Sequence, residues 1–283
     1  MGKFYEALEK AHREKNAPPS PPKKVKKPVA EVIKPPEFAQ PPLELLVLER
    51  PGSEIAEQFR FLRSLITRPP DGQVPRTILI TSVLPQEGKT FVATNLAATI
   101  ALGLDEYVLL VDADLRKPQI HRYFGLEMMD KGLSTHLNGL TPLEEVLMKT
   151  PVEKLTILPG DSQARNPAEL LSSEKMKALI AEVKDRYADR LVIFDSTPLN
   201  VAPETYVIAN EVDAVILVVR RGQTPRQAVQ VALEKIAKEK IMGVVFNGYH
   251  RRVRKQSMYV KNYSGYGYGY GYGYGKAYKP QDK

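Results

Sequence analysis

Gly88-Lys89-Thr90 closes the segment Ser82-Val83-Leu84-Pro85-Gln86-Glu87-Gly88-Lys89-Thr90. Glycine lets backbone N–H groups approach phosphate oxygens, a lysine in this place spans β- and γ-phosphates, and a threonine hydroxyl binds Mg2+. Val83 stands where the strict GxxxxGK[ST] spacing has its first glycine. On its own, the segment therefore also reads as a polar strand-to-helix turn. Two acidic clusters follow apolar runs downstream: Asp112-Ala113-Asp114-Leu115-Arg116 and Asp195-Ser196-Thr197-Pro198. A single aspartate at such a place is more often a turn or cap residue. Three in this order after Gly-Lys-Thr point to a metal–nucleotide complex. There carboxylates hold Mg2+ directly or through water, or accept a proton from an incoming hydroxyl.

These side chains need a scaffold that brings them to one edge. Apolar, β-rich runs recur at TILITSV, YVLLVDAD, LTILPG, LVIFDS, AVILVVR and IMGVVFN, separated by the helical patterns TFVATNLAATIALG, EKMKALIAEVKDRY and PRQAVQVALEKIAKE. Strands without polar alternation are covered on both faces, and helices between them supply the crossovers of a parallel sheet. The expected fold is α/β: a doubly wound, mostly parallel sheet of the P-loop NTPase type, with a disordered amino-terminal linker and carboxyl tail. Ligands of such sheets gather at the carboxyl ends of strands, where the lysine loop and both acidic clusters fall.

Composition sets the limits of that reading. With 43% hydrophobic and 26% charged residues the chain can bury a full core, and with no cysteine it has neither disulfides nor a thiolate zinc site. The histidines at 12, 121, 136 and 250 are scattered and outline no metal centre. The longest apolar stretch, NLAATIALGL, is far shorter than the roughly 20 residues that span a bilayer. The amino terminus lacks a secretory pattern, and a cytoplasmic protein is expected. The net charge of +8 is uneven: residues 1–42 carry nine Lys/Arg against five Asp/Glu, residues 249–283 eight against one, and the centre 24 against 27. The basicity belongs to the tails, so no nucleic-acid groove is indicated.

The expected division is a short amphipathic helix over 1–16, with Phe4, Leu8 and Ala11 on one stripe, then a Pro/Lys-rich linker over 17–45. A P-loop domain over 46–249 follows, then a basic, Tyr/Gly-rich tail over 250–283. The tail holds Tyr259, Tyr263, Tyr266, Tyr268, Tyr270, Tyr272, Tyr274 and Tyr278. Glycine between most of them leaves each hydroxyl approachable. Arg251, Arg252, Arg254 and Lys255 form either a phosphate-binding cluster or a solvated linker.

Taken together, these residues resemble the bacterial tyrosine kinases (BY-kinases), P-loop proteins unrelated in fold to eukaryotic protein kinases. The likeness covers about residues 50–278. The family's loop, approximately xxPxxGK[ST], is matched by Pro85, Gly88, Lys89 and Thr90. DxDxR is matched by Asp112, Asp114 and Arg116, DxxP by Asp195 and Pro198, and the tyrosine-rich tail by the cluster above. The family's ring-building ExxRxxR is matched by Glu57, Arg60 and Arg63, whose spacing is read as one helix face. Solvated intrahelical ion pairs are the alternative. The similar partition and septum-positioning ATPases carry an additional lysine where Leu84 stands.

The resemblance implies an ATP-dependent protein-tyrosine autokinase that uses ATP and Mg2+ and phosphorylates its tail tyrosines between subunits of a ring-like homo-oligomer. It further implies regulation of exopolysaccharide or capsule synthesis and export, a separate membrane-anchored chain-length-determinant protein as activator at the inner face of the membrane, and a tyrosine phosphatase. Pro85, Gln86, Glu87, Gly88, Lys89, Thr90, Phe91 and Asn247 are expected to contact nucleotide, and Thr90, Asp112 and Asp195 to hold the metal. Lys89 stabilises the γ-phosphoryl charge. Asp112 is the preferred base, Asp114 supports the metal or takes the base role instead, and Arg116 orients the acidic pair. Two other readings stand beside this one: a partition-type ATPase switch and a non-catalytic, nucleotide-bound scaffold.

Overall fold

The computed structural model describes residues 45–70, 72–161, 164–186 and 189–248. The amino-terminal helix and most of the linker, the tail tyrosines and the basic cluster 251–255 lie outside the described residues. A compact unit ends at Asn247 and a second, Gly248–Lys283, follows.

Strands β1 (Thr77–Ser82), β2 (Tyr107–Ala113), β3 (Met148–Lys149), β4 (Leu155–Leu158), β5 (Arg190–Ser196), β6 (Ala214–Arg220) and β7 (Ile241–Asn247) form one sheet in the order β3-β4-β2-β5-β1-β6-β7. Every neighbouring pair is parallel except β3 with β4. The longer helices are α1 (Glu54–Thr67), α2 (Lys89–Ala101), α3 (Glu174–Arg186), α4 (Glu204–Glu211) and α5 (Arg226–Glu234).

Alternation along each strand divides the core into two layers. Ile78, Ile80, Leu110 and Ile193 pack with α1 and α2 on one face, while Leu79, Val111, Phe194 and Leu217 pack with α3, α4 and α5 on the other. Helix α2 is buried from Val92 to Ala101, which accounts for its apolar sequence: it lies between sheet and α1. Its polar residues are used as ties. The Asn95 carboxamide oxygen accepts the Val47 N–H at 3.3 Å, and the Thr99 carbonyl accepts from Arg63 Nη1 at 3.1 Å. Helix α1 is capped by Ser53, whose hydroxyl accepts the Ala56 N–H at 3.2 Å.

All six expected strands are present. Strand β3 was not anticipated, because two residues show no alternation to read. Helix α4 was also missed; its core contacts, Ile208 and Ala209, occupy only a short stripe. Helix α5 ends at Glu234, short of the expected span, because Ile236 turns into the core and the chain bends through Lys238–Lys240 into β7. Among the described residues no helix is long and apolar enough to cross a membrane.

Phe194 is fully buried in the middle of β5, so Phe194→Ala should cost about 3–5 kcal/mol. Leu104, which is 91% exposed, should tolerate alanine within about 0.5 kcal/mol. Urea unfolding midpoints of the two variants provide the comparison.

Candidate active site

The loop between β1 and α2 is held in an uncommon backbone conformation. Gly88 has φ 90° and Gln86, without glycine's freedom, has φ 64°. A Cβ on Gly88 would collide with Asn247 Nδ2, so glycine is required twice over, for its dihedral and for its space. No side chain caps the start of α2, leaving its first N–H groups directed at whatever occupies the loop.

Neighbouring elements pin this loop. Glu87 is fully buried; its carboxylate accepts the Leu84 N–H at 2.7 Å, the Arg220 N–H at 3.3 Å and a short bond from the Thr224 hydroxyl. Arg220 Nη1 donates to the Gln86 carbonyl at 2.8 Å, Gln223 Nε2 to the Pro85 carbonyl at 3.2 Å, and Asn247 Nδ2 to the Glu87 carbonyl at 2.8 Å. Thus the Glu87 side chain is turned away from the site, and Asn247 directs Nδ2 to the loop carbonyl. Phe91 sets its ring edge-on to Phe59, centroids 5.9 Å apart. What Glu87 and Phe91 can offer a nucleotide is their main chain.

The acidic residues converge on Lys89. Its Nζ lies 2.7 Å from Asp114 Oδ2 and 3.7 Å from Asp195 Oδ1, and the Thr90 hydroxyl donates to Asp195 Oδ2 at 2.7 Å. Strand register sets part of this: Asp112 on β2 is the direct partner of Asp195 on β5. Asp112 is wholly buried and accepts N–H bonds from Gln119 at 2.9 Å, Ile120 at 3.0 Å and Asp114 at 3.3 Å. Arg116, expected to orient the acidic pair, reaches instead to Glu204, with Nη2 at 2.8 Å from Oε1. The buried carboxylate at the start of α4 draws it there.

Burial pushes the Asp112 carboxyl up to about 8 and Asp195 up to about 6. For Asp112 the charge of Asp195 adds to the rise, while for Asp195 the Lys89 ammonium and the Thr90 hydroxyl oppose it. Burial works against the Lys89 charge as well, but Asp195, Asp114 and Asp112 outweigh it and hold its pKa above the ordinary lysine value. Three carboxylates against one ammonium leave excess negative charge. Asp195 Oδ1 is buried with no hydrogen-bond donor among the described residues. This donor set, an unsatisfied carboxylate oxygen beside a hydroxyl, fits a hard divalent cation such as Mg2+, which takes few protein ligands.

Of the remaining expected residues, Glu57 and Arg60 pair with each other at 2.7 Å on the exposed side of α1, whereas Arg63 is turned to Thr99. The three do not form one outward face. Sequence reasoning missed Thr197, Thr224 and Glu204, and only Thr197 carried a signal, its place inside the second acidic motif.

No family model matches the sequence. The Bacillus subtilis (strain 168) protein named tyrosine-protein kinase YwqD is 34% identical over 217 residues, 76% of this chain and 89% of that protein. The chain belongs to the bacterial tyrosine kinase family. The kinase is also 30% identical over 212 residues to tyrosine-protein kinase etk of Escherichia coli (strain K12), spanning 74% of this chain and 29% of that longer protein. The solved kinase domain of Escherichia coli tyrosine kinase ETK matches it with a TM-score of 0.69 at 28% identity, over 83% of this chain and 88% of the solved one. The septum site-determining protein MinD of Pyrococcus horikoshii OT3, solved with Mg-ADP, matches with a TM-score of 0.52 at 26% identity, over 63% of this chain and 72% of that one. The kinase therefore shares the P-loop NTPase fold.

In the folded kinase, Asp112 and Asp195 retain protons at pH values where an unfolded aspartate has lost them. Folding then takes up protons, and this part of the stability is lost as pH rises from about 4 through about 8. Asp112→Asn should flatten the upper part of that decline, between about pH 6 and 8. Thermal unfolding of both proteins across this range, without metal or nucleotide, measures it; parallel curves would contradict the assignment.

Proposed function

We propose that this kinase transfers the γ-phosphoryl group of ATP to tyrosines of its own carboxyl segment, Tyr259, Tyr263, Tyr266, Tyr268, Tyr270, Tyr272, Tyr274 and Tyr278. The observation that carries the reading is Lys89 Nζ at 2.7 Å from Asp114 and 3.7 Å from Asp195, with the Thr90 hydroxyl on the far oxygen of Asp195. When bound, Mg2+ supplies compact positive charge that neutralises phosphate oxygens. Thr90 and Asp195 would hold it, with Asp112 as the carboxylate behind them. The N–H groups of Gln86 to Phe91 cradle the phosphates, and Lys89 exchanges Asp114 for a γ-phosphoryl oxygen.

That exchange frees Asp114 Oδ2. A phenol with pKa near 10 is neutral at pH 7 and needs a base as it attacks. Asp114 takes the proton while the phenol oxygen bonds to phosphorus, and the bond to the bridging oxygen breaks, its electron pair leaving with ADP. Asp114, with one oxygen freed by the exchange, suits this role better than Asp112, which spends its oxygens on three main-chain N–H groups. Positioning and charge neutralisation provide most of the acceleration in such reactions.

The reading extends to assembly and regulation. Transfer occurs between subunits of a ring-like homo-oligomer, supported by the exposed Glu57 and Arg60 of α1. Each tail phosphate adds about −1.5 to −2 charge, so a few reverse the basic tail and loosen the ring. In this reading the kinase works in the cytoplasm, recruited to the inner face of the membrane by a separate membrane-anchored chain-length determinant. A tyrosine phosphatase resets it, and the output is exopolysaccharide or capsule synthesis and export. These roles are supported by the family motifs.

Incubating the full chain with labelled ATP and Mg2+, with and without a candidate activator, and mapping phosphate by mass spectrometry tests the reading. Label on the tail tyrosines, abolished by Lys89→Met and slowed about 10²–10⁴-fold by Asp114→Asn, is expected. Phosphate release without tyrosine label would favour a partition-type switch, and nucleotide binding with neither would favour a scaffold. Labelling that survives Lys89→Met would overturn the site.

A further inference from the structure

The loop after β5 holds a residue to which the family motif gives no role. Thr197 is 3% exposed, and its hydroxyl donates to Asp114 Oδ1 at 3.0 Å. The Lys117 N–H donates to the same oxygen at 3.2 Å. The opposite oxygen, Oδ2, carries Lys89. Asp114 is thus gripped on one side by fixed donors and on the other by a side chain that must leave when nucleotide binds.

Thr197 is itself immobilised. Its carbonyl accepts the hydroxyls of Thr205 at 2.9 Å, Thr81 at 3.3 Å and Ser196 at 3.3 Å. Just beyond it, the Leu199 and Asn200 N–H groups donate to the Ser82 and Val83 carbonyls at 2.8 and 3.2 Å. The hydroxyl is therefore referenced to β1, the strand that leads into the phosphate loop. A carboxylate left with the Lys117 N–H alone would be freer to turn about its χ angles once the lysine moved away. A carboxylate also held by a buried hydroxyl keeps its aim.

We infer that Thr197 is the positioning residue for Asp114, fixing the carboxylate toward the acceptor phenol after Lys89 has transferred to phosphate. The inference rests on the kinase reading above, in which Asp114 is the base. Thr197 touches neither nucleotide nor acceptor in this account; its effect passes through Asp114. The shape of valine nearly matches that of threonine without the donor, and every contact of the Thr197 carbonyl survives the change.

The test uses the full chain with Mg2+ and labelled ATP, measuring the initial rate of tail labelling against ATP concentration, with nucleotide affinity measured separately using a fluorescent ATP analogue. Thr197→Val should lower kcat about 10–100-fold and leave KM for ATP and analogue affinity within about threefold, while Thr197→Ser recovers most of the rate. In an Asp114→Asn background, Thr197→Val should cost little more, since the two act as a unit. An unchanged kcat in Thr197→Val, a serine variant as slow as valine, or multiplied losses in the double variant would each overturn the inference. If the valine variant fails to fold, Thr197→Ala replaces it in every comparison. A wild-type chain that leaves its tyrosines unlabelled defeats the kinase reading and this inference with it. An active wild type with an indifferent Thr197→Val defeats the inference alone.

Discussion

A largely shielded ammonium among three buried carboxylates governs this molecule. In water such a cluster would cost little, but inside the fold Lys89 and the aspartates at 112, 114 and 195 interact strongly with few solvent molecules to screen them. Burial raises the pKa of Asp112 and Asp195, and protons held there offset part of the excess negative charge. A divalent ion placed there would compete with those protons.

The remainder of the site holds this charge cluster in place. Hydrogen bonds from β6, β7 and the turn after β6 converge on the loop carbonyls of Pro85, Gln86 and Glu87 and on the Glu87 carboxylate. The loop is thereby stiffened from behind, and a phosphate meets N–H groups already oriented. Electrostatic preorganisation of this kind depends on side chains that face away from the ligand.

Residues with distinctive chemistry were legible in the sequence. Lys89, Thr90, Asp112, Asp114 and Asp195 each stand at a strand end or helix start, and local pattern alone places them on one edge of the sheet. The six long strands were legible for the same reason: buried parallel strands are written as unbroken apolar runs. Partnerships across long sequence distances were not. Nothing local in Arg116 says that it will turn to Glu204, 88 positions later, and nothing in Glu87 says that it will staple the loop to Thr224. The spacing of Glu57, Arg60 and Arg63 suggested a shared face, but α1 packs on α2, and the Thr99 carbonyl captures the last arginine. Tertiary contacts redirect side chains that secondary structure alone would have left together.

The direct pairing of Asp112 with Asp195 across β2 and β5 has a consequence for how the protein fails on warming. Their separation is set by the ladder, so no mobile segment can open to spread them while the sheet endures. A slip of one residue in either strand would send that strand's aspartate to the opposite face, away from its partner. Such a site is whole or absent: inactivation by heat should coincide with cooperative melting of the entire domain, without an earlier phase of local softening.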